Sequence, residues 1–132
     1  MIAYEWRGPF ASPEVGALHG EAFGSLGGPD WRAQVERHSL GWVCARDDGN
    51  LAGFVNLAWD GGAHAFILDT MVDPGFQRLG IGRDLVRTVT DEAFTAGCDW
   101  VHVDYEPEYA SFYENACGFR PTAAGLRPAP QA

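Results

Sequence analysis

Residues 72–86, VDPGFQRLGIGRDLV, combine two glycines with two arginines at the start of an amphipathic run. Gly80 and Gly82 flank a single isoleucine, and Arg78 and Arg83 lie on either side of them. The first backbone N–H groups of a helix have no partner within it and carry a partial positive charge, so a glycine-rich helix start often binds phosphate. The segment is therefore predicted to bind a phosphate-bearing cofactor.

Two common phosphate-binding motifs do not fit this segment. A P-loop requires a lysine and then Ser or Thr after its second glycine, whereas Gly82 is followed by Arg83 and Asp84. A dinucleotide-binding motif requires a third glycine where Leu85 stands, and an acidic residue about 20 positions later. That motif usually opens a domain, but strand-like segments precede this one. Both motifs fail on more than one count, so the segment does not indicate a nucleoside triphosphate or a dinucleotide, and another phosphate-bearing cofactor is expected.

A third pattern fits the same residues. Residues 77–82 have the form Q/R-x-x-G-x-G/A and follow a strand-like segment that ends in MVDP. In this form they resemble the acetyl-CoA motif of the GNAT N-acetyltransferases. The resemblance implies that acetyl-CoA is the co-substrate, that the main chain of Met71 and Val72 contacts its acetyl carbonyl and pantetheine arm, and that no metal takes part. The remaining implied contacts come from Gln77, Arg78, Leu79, Gly80, Ile81, Gly82 and Arg83.

A second segment, ASFYENACGF at residues 110–119, is similar to the A-x-x-F/L-Y…G-F segment of that family. The resemblance implies that Tyr113 protonates the departing CoA thiolate, a step that a phenol can perform. One residue more than the family's usual number separates Tyr113 from Gly118, and an extra residue rotates a helical side chain by about 100°. Tyr113 is the predicted general acid and Tyr109 is the alternative, while Pro107 stands where relatives often carry an asparagine that contacts the cofactor.

The sequence leaves the general base open between two residues. An alkyl ammonium has a pKa of about 10, so its proton must be removed before the amine can attack a thioester. Many relatives carry a glutamate on the fourth strand or in the middle of the fifth, where this chain has Asp69 and His102. An imidazole with a pKa of about 6.5 suits proton transfer, although an exposed strand histidine is equally consistent with the pattern. A buried, hydrogen-bonded carboxylate is the structural alternative for Asp69.

The resemblance also implies where an acceptor would bind. The family builds its substrate walls from the first two helices and the last strands, which here offer Phe23 and Trp31. Their rings could hold a cation or another ring, although aromatic residues at such spacing also suit a core. Asp104 could hold a cationic amine.

The order of predicted elements indicates a mixed α/β domain. An antiparallel meander feeds one crossover helix, so the expected fold is the GNAT fold, a mostly antiparallel sheet of about six to seven strands flanked by about four helices. The expected domain covers residues 1–126. The tail, 127–132, either frays or crosses to a partner subunit, which would make the protein a homodimer. The predicted strands are 2–6, 42–46, 51–59, 64–72 and 99–105, with one or two more within 119–127, and the predicted helices begin near 12, 31, 82 and 107.

Composition limits the kinds of partner. The chain of 132 residues suits one domain, and its formal net charge of −9 argues against nucleic acid and mildly favours a cationic partner. No apolar run approaches the ~20 residues that span a bilayer, and the first residues do not resemble a signal peptide. Three cysteines without a CxxC pair suggest reduced thiols and no zinc site, as expected in the cytoplasm.

The predicted activity is transfer of acetyl from acetyl-CoA to a primary amine of a small molecule or peptide. The alternative is a CoA-binding regulatory or interaction module that transfers little or nothing. The missing glutamate and the altered tyrosine spacing keep that alternative open.

Overall fold

A computed structural model describes residues 1–23 and 28–131, and the side chains of residues 22 and 23 are not part of that description. Eight regular elements carry the fold, and three shorter helical turns connect or follow them. The elements are β1 (Ile2–Trp6), α1 (Ser12–Phe23), α2 (Trp31–His38), β2 (Ser39–Asp47), β3 (Asn50–Trp59), β4 (His64–Val72), α3 (Ile81–Thr95) and β5 (Trp100–Val103). The turns are two 3₁₀ turns, Pro74–Phe76 and Pro107–Tyr109, and a π-helix, Phe112–Ala116. None of the helices in the described ranges is long and apolar enough to cross a bilayer.

The strands form a single sheet in chain order, β1-β2-β3-β4-β5. The first three pairings are antiparallel, and β4 pairs with β5 in parallel across α3. The mixed sheet with an antiparallel meander and one crossover helix was predicted from the alternation of apolar residues, and it is confirmed. The sheet of the described residues has five strands, which is fewer than the six to seven expected.

The missing strands lie in the last part of the chain. Residues 119–131 contain no strand, so the one or two short strands predicted there are wrong. Pro121 and Pro128 lack the N–H group that a strand donates to its neighbour, and the side chains from 120 to 131 are exposed. A segment that buries no apolar face gains nothing from joining the sheet.

Helices cover both faces of the sheet, and alternate residues of β3 point to opposite layers. Val55 and Leu57 belong to the apolar layer beneath α3. Phe54 belongs to the layer beneath α1 and α2, together with Met71 of β4. The period of two along the strand therefore divides the core into two layers, as expected for a sheet buried on both faces.

A glycine on β3 sets how closely α3 approaches the sheet. A Cβ atom on Gly53 would lie 3.0 Å from side-chain carbons of both Ile81 and Leu85, and 3.1 Å from the carbonyl oxygen of Met71. Any larger residue would push the first turns of α3 outward. Gly53 therefore keeps the N-terminal end of α3 beside the end of β4, where the candidate site lies.

Candidate active site

A cavity of about 930 Å³ lies where β4 and β5 separate. Their parallel pairing ends at Ile67 and Val103, whereas β4 continues to Val72 without a β5 partner. The cavity is lined by this end of β4, the start of α3, the residues that follow β5, and the π-helix. Its volume is within the range of about 300–1,000 Å³ that is typical of small-molecule sites. We call this cavity the cleft.

A bulge in β4 shapes one wall of the cleft. Asp69 and Thr70 together face the single residue Val55 on β3, because the register shifts by one residue there. Asp69 has φ of 56°, a left-handed conformation that costs a non-glycine residue on the order of 1 kcal/mol. Bulges commonly re-aim side chains next to active sites. Here both bulged residues line the cleft.

The glycine-rich segment forms the opposite end of the cleft. Gly80 precedes α3 with φ of 78°, and no side chain caps the helix at this end. The first N–H groups of α3 therefore have no partner from the helix or from a capping side chain, and they carry the positive end of its dipole. Arg78 also adopts a left-handed φ, of 67°. An anionic group would find unpaired donors and positive charge at this position.

Most residues of the predicted CoA loop line the cleft, and one does not. Leu79 is 66% exposed and lies outside the lining, so its side chain is not brought to the cleft. The lining contains the predicted residues Met71, Val72, Gln77, Arg78, Gly80, Ile81, Gly82 and Arg83.

Gly82 has a packing role that the sequence did not indicate. A Cβ atom at this position would lie 3.3 Å from Cζ of the Phe112 ring. The absence of a side chain lets the π-helix approach the start of α3. Gly82 thus joins the two halves of the cleft, and any substitution there acts on Phe112 and its neighbour Tyr113.

The π-helix accounts for the extra residue after Tyr113. The N–H group of Cys117 donates to the carbonyl of Phe112, five residues earlier, at 3.0 Å. A π-turn holds one residue more than an α-turn, and such turns are frequent at functional sites. The insertion is absorbed after Tyr113, whose side chain lines the cleft. Tyr109, the alternative, lines the cleft as well and is 51% exposed.

Aromatic neighbours hold the Tyr113 ring. It stacks on Tyr105 with centroids 5.1 Å apart and meets the edge of Phe119 at 6.1 Å. Burial raises the pKa of the Tyr113 phenol above its usual 10.0, and the nearby Thr70 hydroxyl opposes this rise. Thr70 Oγ1 is buried and makes no hydrogen bond to a described residue. Burial is the larger of the two effects, so the pKa of Tyr113 is raised. The phenol therefore keeps its proton at neutral pH.

Asp69 lies in the same cleft as Tyr113. Burial raises the pKa of the Asp69 carboxyl, while the charge of His19 and the nearby side-chain amide of Asn56 lower it. His19 comes from α1, lines the cleft, and packs its ring 5.3 Å from that of Trp31. Sequence reasoning missed His19, although it stands four residues after the core residue Val15 and so shares a face of α1 with it.

His102 is not brought to Tyr113 and Asp69. It lies on β5 outside the lining of the cleft, where its Nε2 is 2.7 Å from Nδ1 of His64. Its ring stacks on Phe66 with centroids 4.7 Å apart. Of the two predicted bases, the cleft contains Asp69.

Of the residues predicted to bind the acceptor, Asp104 lines the cleft and Trp31 does not. Asp104 follows β5 and lines the cleft, as do Glu106 and Glu21. Trp31 is 4% exposed, packs in the core beneath α1 and α2, and lies outside the lining. Phe23 ends α1, and its side chain lies outside the described part of the chain.

Deleting Asn115 tests the account of the π-helix. Asn115 is exposed, and its amide donates a hydrogen bond to the Ser111 hydroxyl at 3.2 Å. We expect its loss to restore an α-turn without moving Tyr113, with a melting temperature within about 4 °C of the parent. Contacts between the Tyr113 and Tyr105 rings, measured by NMR, should persist. Deletion of Ser111, which precedes Tyr113, is the control and should abolish them, since it rotates the ring by about 100°. Loss of the contacts in both deletions would contradict the account.

A model of the Acetyltransferase (GNAT) family matches residues 3–119 of this chain. The match covers the sheet, α3 and the π-helix, and hence both walls of the cleft. The chain belongs to the GNAT acetyltransferase family.

Individual relatives agree with this assignment. An uncharacterized N-acetyltransferase of Pyropia yezoensis, ycf52, is 31% identical over 64 residues, which are 48% of this chain and 37% of that protein. A GNAT-family acetyltransferase of Streptococcus pneumoniae superposes with a TM-score of 0.77 at 24% identity, covering 100% of both chains. The aminoglycoside N-acetyltransferase AAC(6')-Iy, in complex with CoA, superposes with a TM-score of 0.72 at 19% identity, covering 100% of this chain and 96% of the other. These structures share the fold.

Proposed function

We propose that the protein transfers the acetyl group of acetyl-CoA to a primary amine of a small molecule or peptide by direct attack. One observation carries the proposal. Tyr113 and Asp69, a phenol and a carboxylate, line the same cleft as the uncapped start of α3. A phosphate-binding end, a proton donor and a proton acceptor are the groups that this reaction requires.

The start of α3 suits the pyrophosphate of CoA. Its N–H groups have no capping side chain, and Gly80 lets a ligand approach the backbone closely. Arg78 and Arg83 add positive charge at the same end of the cleft. Asp84 also lies in this first turn, but Tyr4 donates a hydrogen bond to it at 3.2 Å and Arg87 pairs with it. These contacts reduce its repulsion of phosphate.

The residues of the cleft would divide the reaction among them. The amine nitrogen attacks the thioester carbon, so that a C–N bond forms and the C–S bond breaks. Asp69 accepts the proton that the amine loses, and Tyr113 donates its phenolic proton to the departing thiolate. Backbone N–H groups of β4 near Met71 and Val72, beyond the last β5 pairing, would stabilise the oxyanion. Proton exchange with water then restores both side chains.

The charges in the cleft favour a cationic acceptor. Glu21, Asp104 and Glu106 line the part of the cleft outside the glycine-rich segment, where Arg78 and Arg83 lie. An acceptor with a second positive group would gain from these carboxylates while its reacting amine is deprotonated. The acceptor class of first choice is therefore an amine with several amino groups, such as a polyamine or an aminoglycoside.

A turnover screen tests the proposal. Release of free CoA from acetyl-CoA would be followed over aminoglycosides, polyamines, amino acids and peptide N-termini. We expect turnover with at least one cationic amine, and dependence on Tyr113. Tight binding of acetyl-CoA without turnover over the whole panel would contradict transfer and favour the CoA-binding module.

Charge reversal at Arg83 tests the cofactor end separately. Arg83 is exposed beside the uncapped helix start, so Arg83→Glu should raise the Kd for CoA by about 10- to 100-fold, as expected for loss of a charged hydrogen-bond partner. The Kd would be measured by isothermal titration calorimetry. Arg37→Glu, exposed on α2 and outside the cleft, is the matched control and should change the Kd much less. Equal losses in the two variants would indicate a general field effect and no phosphate contact at Arg83.

A further inference from the structure

Asn56 is a buried polar side chain that the mechanism above leaves without a role. It is 2% exposed and is the only buried polar or charged residue among those the structure describes. Its layer, beneath α1 and α2, is otherwise apolar and includes Phe54 and Met71. Burying an amide is unfavourable unless its hydrogen-bonding groups are satisfied, so its presence in this layer calls for partners.

The partners of Asn56 lie on the two neighbouring strands. On the β2 side, the Ser39 hydroxyl donates a hydrogen bond to Asn56 Oδ1. This bond fixes which end of the planar amide faces β2, and the amino group is left to face β4. On the β4 side, the backbone partner of Asn56 is Leu68, the residue before the bulge. Asp69 follows Leu68 in the bulge, and its carboxylate is within reach of the Asn56 amide.

We propose that Asn56, held in one orientation by Ser39, is a positioning residue that donates a hydrogen bond to the Asp69 carboxylate. The inference rests on the proposed function, because it assigns Asn56 to the base of that reaction. It explains why an amide occupies an apolar layer, and why a serine stands at the start of β2. The bulge directs the Asp69 side chain into the cleft, and the Asn56 amide holds its carboxylate in one orientation.

The hydrogen bond also favours the ionised carboxylate that can accept a proton. Burial raises the pKa of the Asp69 carboxyl, and Asn56 and His19 lower it. His19 faces Asp69 from α1, Asn56 faces it from β3, and Tyr113 of the π-helix and Glu21 of α1 line the same cleft. Without the Asn56 amide, only the charge of His19 would oppose the rise in the Asp69 pKa that burial causes. The pKa of Asp69 should then rise further.

Asn56→Leu removes the donor and preserves most of the side-chain volume. We expect the midpoint of the Asp69 titration, followed by carboxyl ¹³C NMR, to move up by about one pH unit. The acid limb of the pH profile of kcat, measured at saturating amine, should also move to higher pH. Ser39→Ala, which frees the amide to rotate but keeps it, should produce a smaller shift of the same sign and provides the test if Asn56→Leu does not fold.

Val55→Ala is the matched control. Val55 is the neighbour of Asn56 on β3, but it points into the layer beneath α3. This variant should have a lower melting temperature than the parent and an unchanged midpoint of the Asp69 titration. An equal shift in Val55→Ala would indicate a general effect of destabilisation and overturn the inference.

The two proposals can fail independently. The NMR titration needs no turnover, so it tests Asn56 even if no amine is acetylated. If Asp69→Asn abolishes turnover while Asn56→Leu and Ser39→Ala leave the Asp69 midpoint unchanged, the positioning role is wrong and the proposed function stands.

Discussion

Replacement of Tyr113 by phenylalanine should lower kcat for acetyl transfer by about 10²- to 10⁴-fold, the usual contribution of a general acid. The variant keeps the ring that stacks on Tyr105 and meets Phe119, and it loses only the hydroxyl. The Kd for CoA should therefore stay close to that of the parent. Steady-state kinetics and calorimetric titration would measure the two effects separately.

The pH dependence identifies the role of the phenol. Because burial raises the pKa of Tyr113 above 10.0, the phenol is protonated at neutral pH and activity is lost only as the pH rises through that raised value. The parent kcat should show no fall on the alkaline side below about pH 9, given the usual tyrosine pKa of about 10. Tyr109→Phe is the matched control and should change kcat little. A larger loss in Tyr109→Phe than in Tyr113→Phe would transfer the role to Tyr109.

Replacement of Asp69 by asparagine should have opposite effects on activity and stability. We expect kcat to fall by about 10²-fold or more, because the amide cannot accept the amine proton. His102→Ala, at the other predicted base, should leave kcat unchanged because His102 lies outside the cleft. Steady-state kinetics of the two variants would separate them, and a loss confined to His102→Ala would reverse the assignment.

The expected gain in stability follows from the sign of the pKa shift. Burial raises the pKa of Asp69 in the folded protein, so the folded state holds that proton more tightly than the unfolded state does. Stability is therefore lost as the pH rises from the unfolded pKa of Asp69 through its raised folded value. Asp69→Asn removes this loss, and asparagine also tolerates the left-handed φ of the bulge. Its melting temperature should exceed that of the parent above this range, and calorimetry at pH 4 and pH 8 would show whether the difference grows with pH.

The sequence predicted the parts of the fold that depend on local pattern. Alternation of apolar residues located the strands of the meander, and the helical spacing of Leu85, Val86 and Val89 located α3. The uncapped, glycine-rich start of α3 could also be predicted, because Gly80 and Gly82 act through backbone geometry near their own positions. Both kinds of feature are determined within a few residues of the chain.

The rest of the site depends on contacts between distant residues. Asp69 stands in the bulge of β4 and lines the cleft, whereas His102 pairs with Phe66 before the bulge, and residue spacing cannot reveal this difference. The extra residue after Tyr113 could be absorbed as a π-turn because Phe112 packs against Gly82, thirty positions earlier. Trp31 was expected in the substrate wall, but an aromatic residue on an amphipathic helix has the same pattern in a core. His19 and Asn56 acquire their roles only when α1 and β3 meet the end of β4.

Under the proposed function, the uncapped start of α3 would link the abundance of the protein to the supply of its cofactor. A glycine at the N-cap leaves a helix only a few tenths of a kcal/mol less stable than a side-chain cap does, but Gly80 offers the first N–H groups of α3 no side-chain partner. A bound CoA phosphate would complete this helix end, and a ligand that binds only the folded state adds stability in proportion to the logarithm of its concentration. Empty protein would then unfold more often and reach cellular proteases more often than loaded protein. Scarcity of acetyl-CoA would thus shorten the lifetime of the polypeptide as well as slow its reaction.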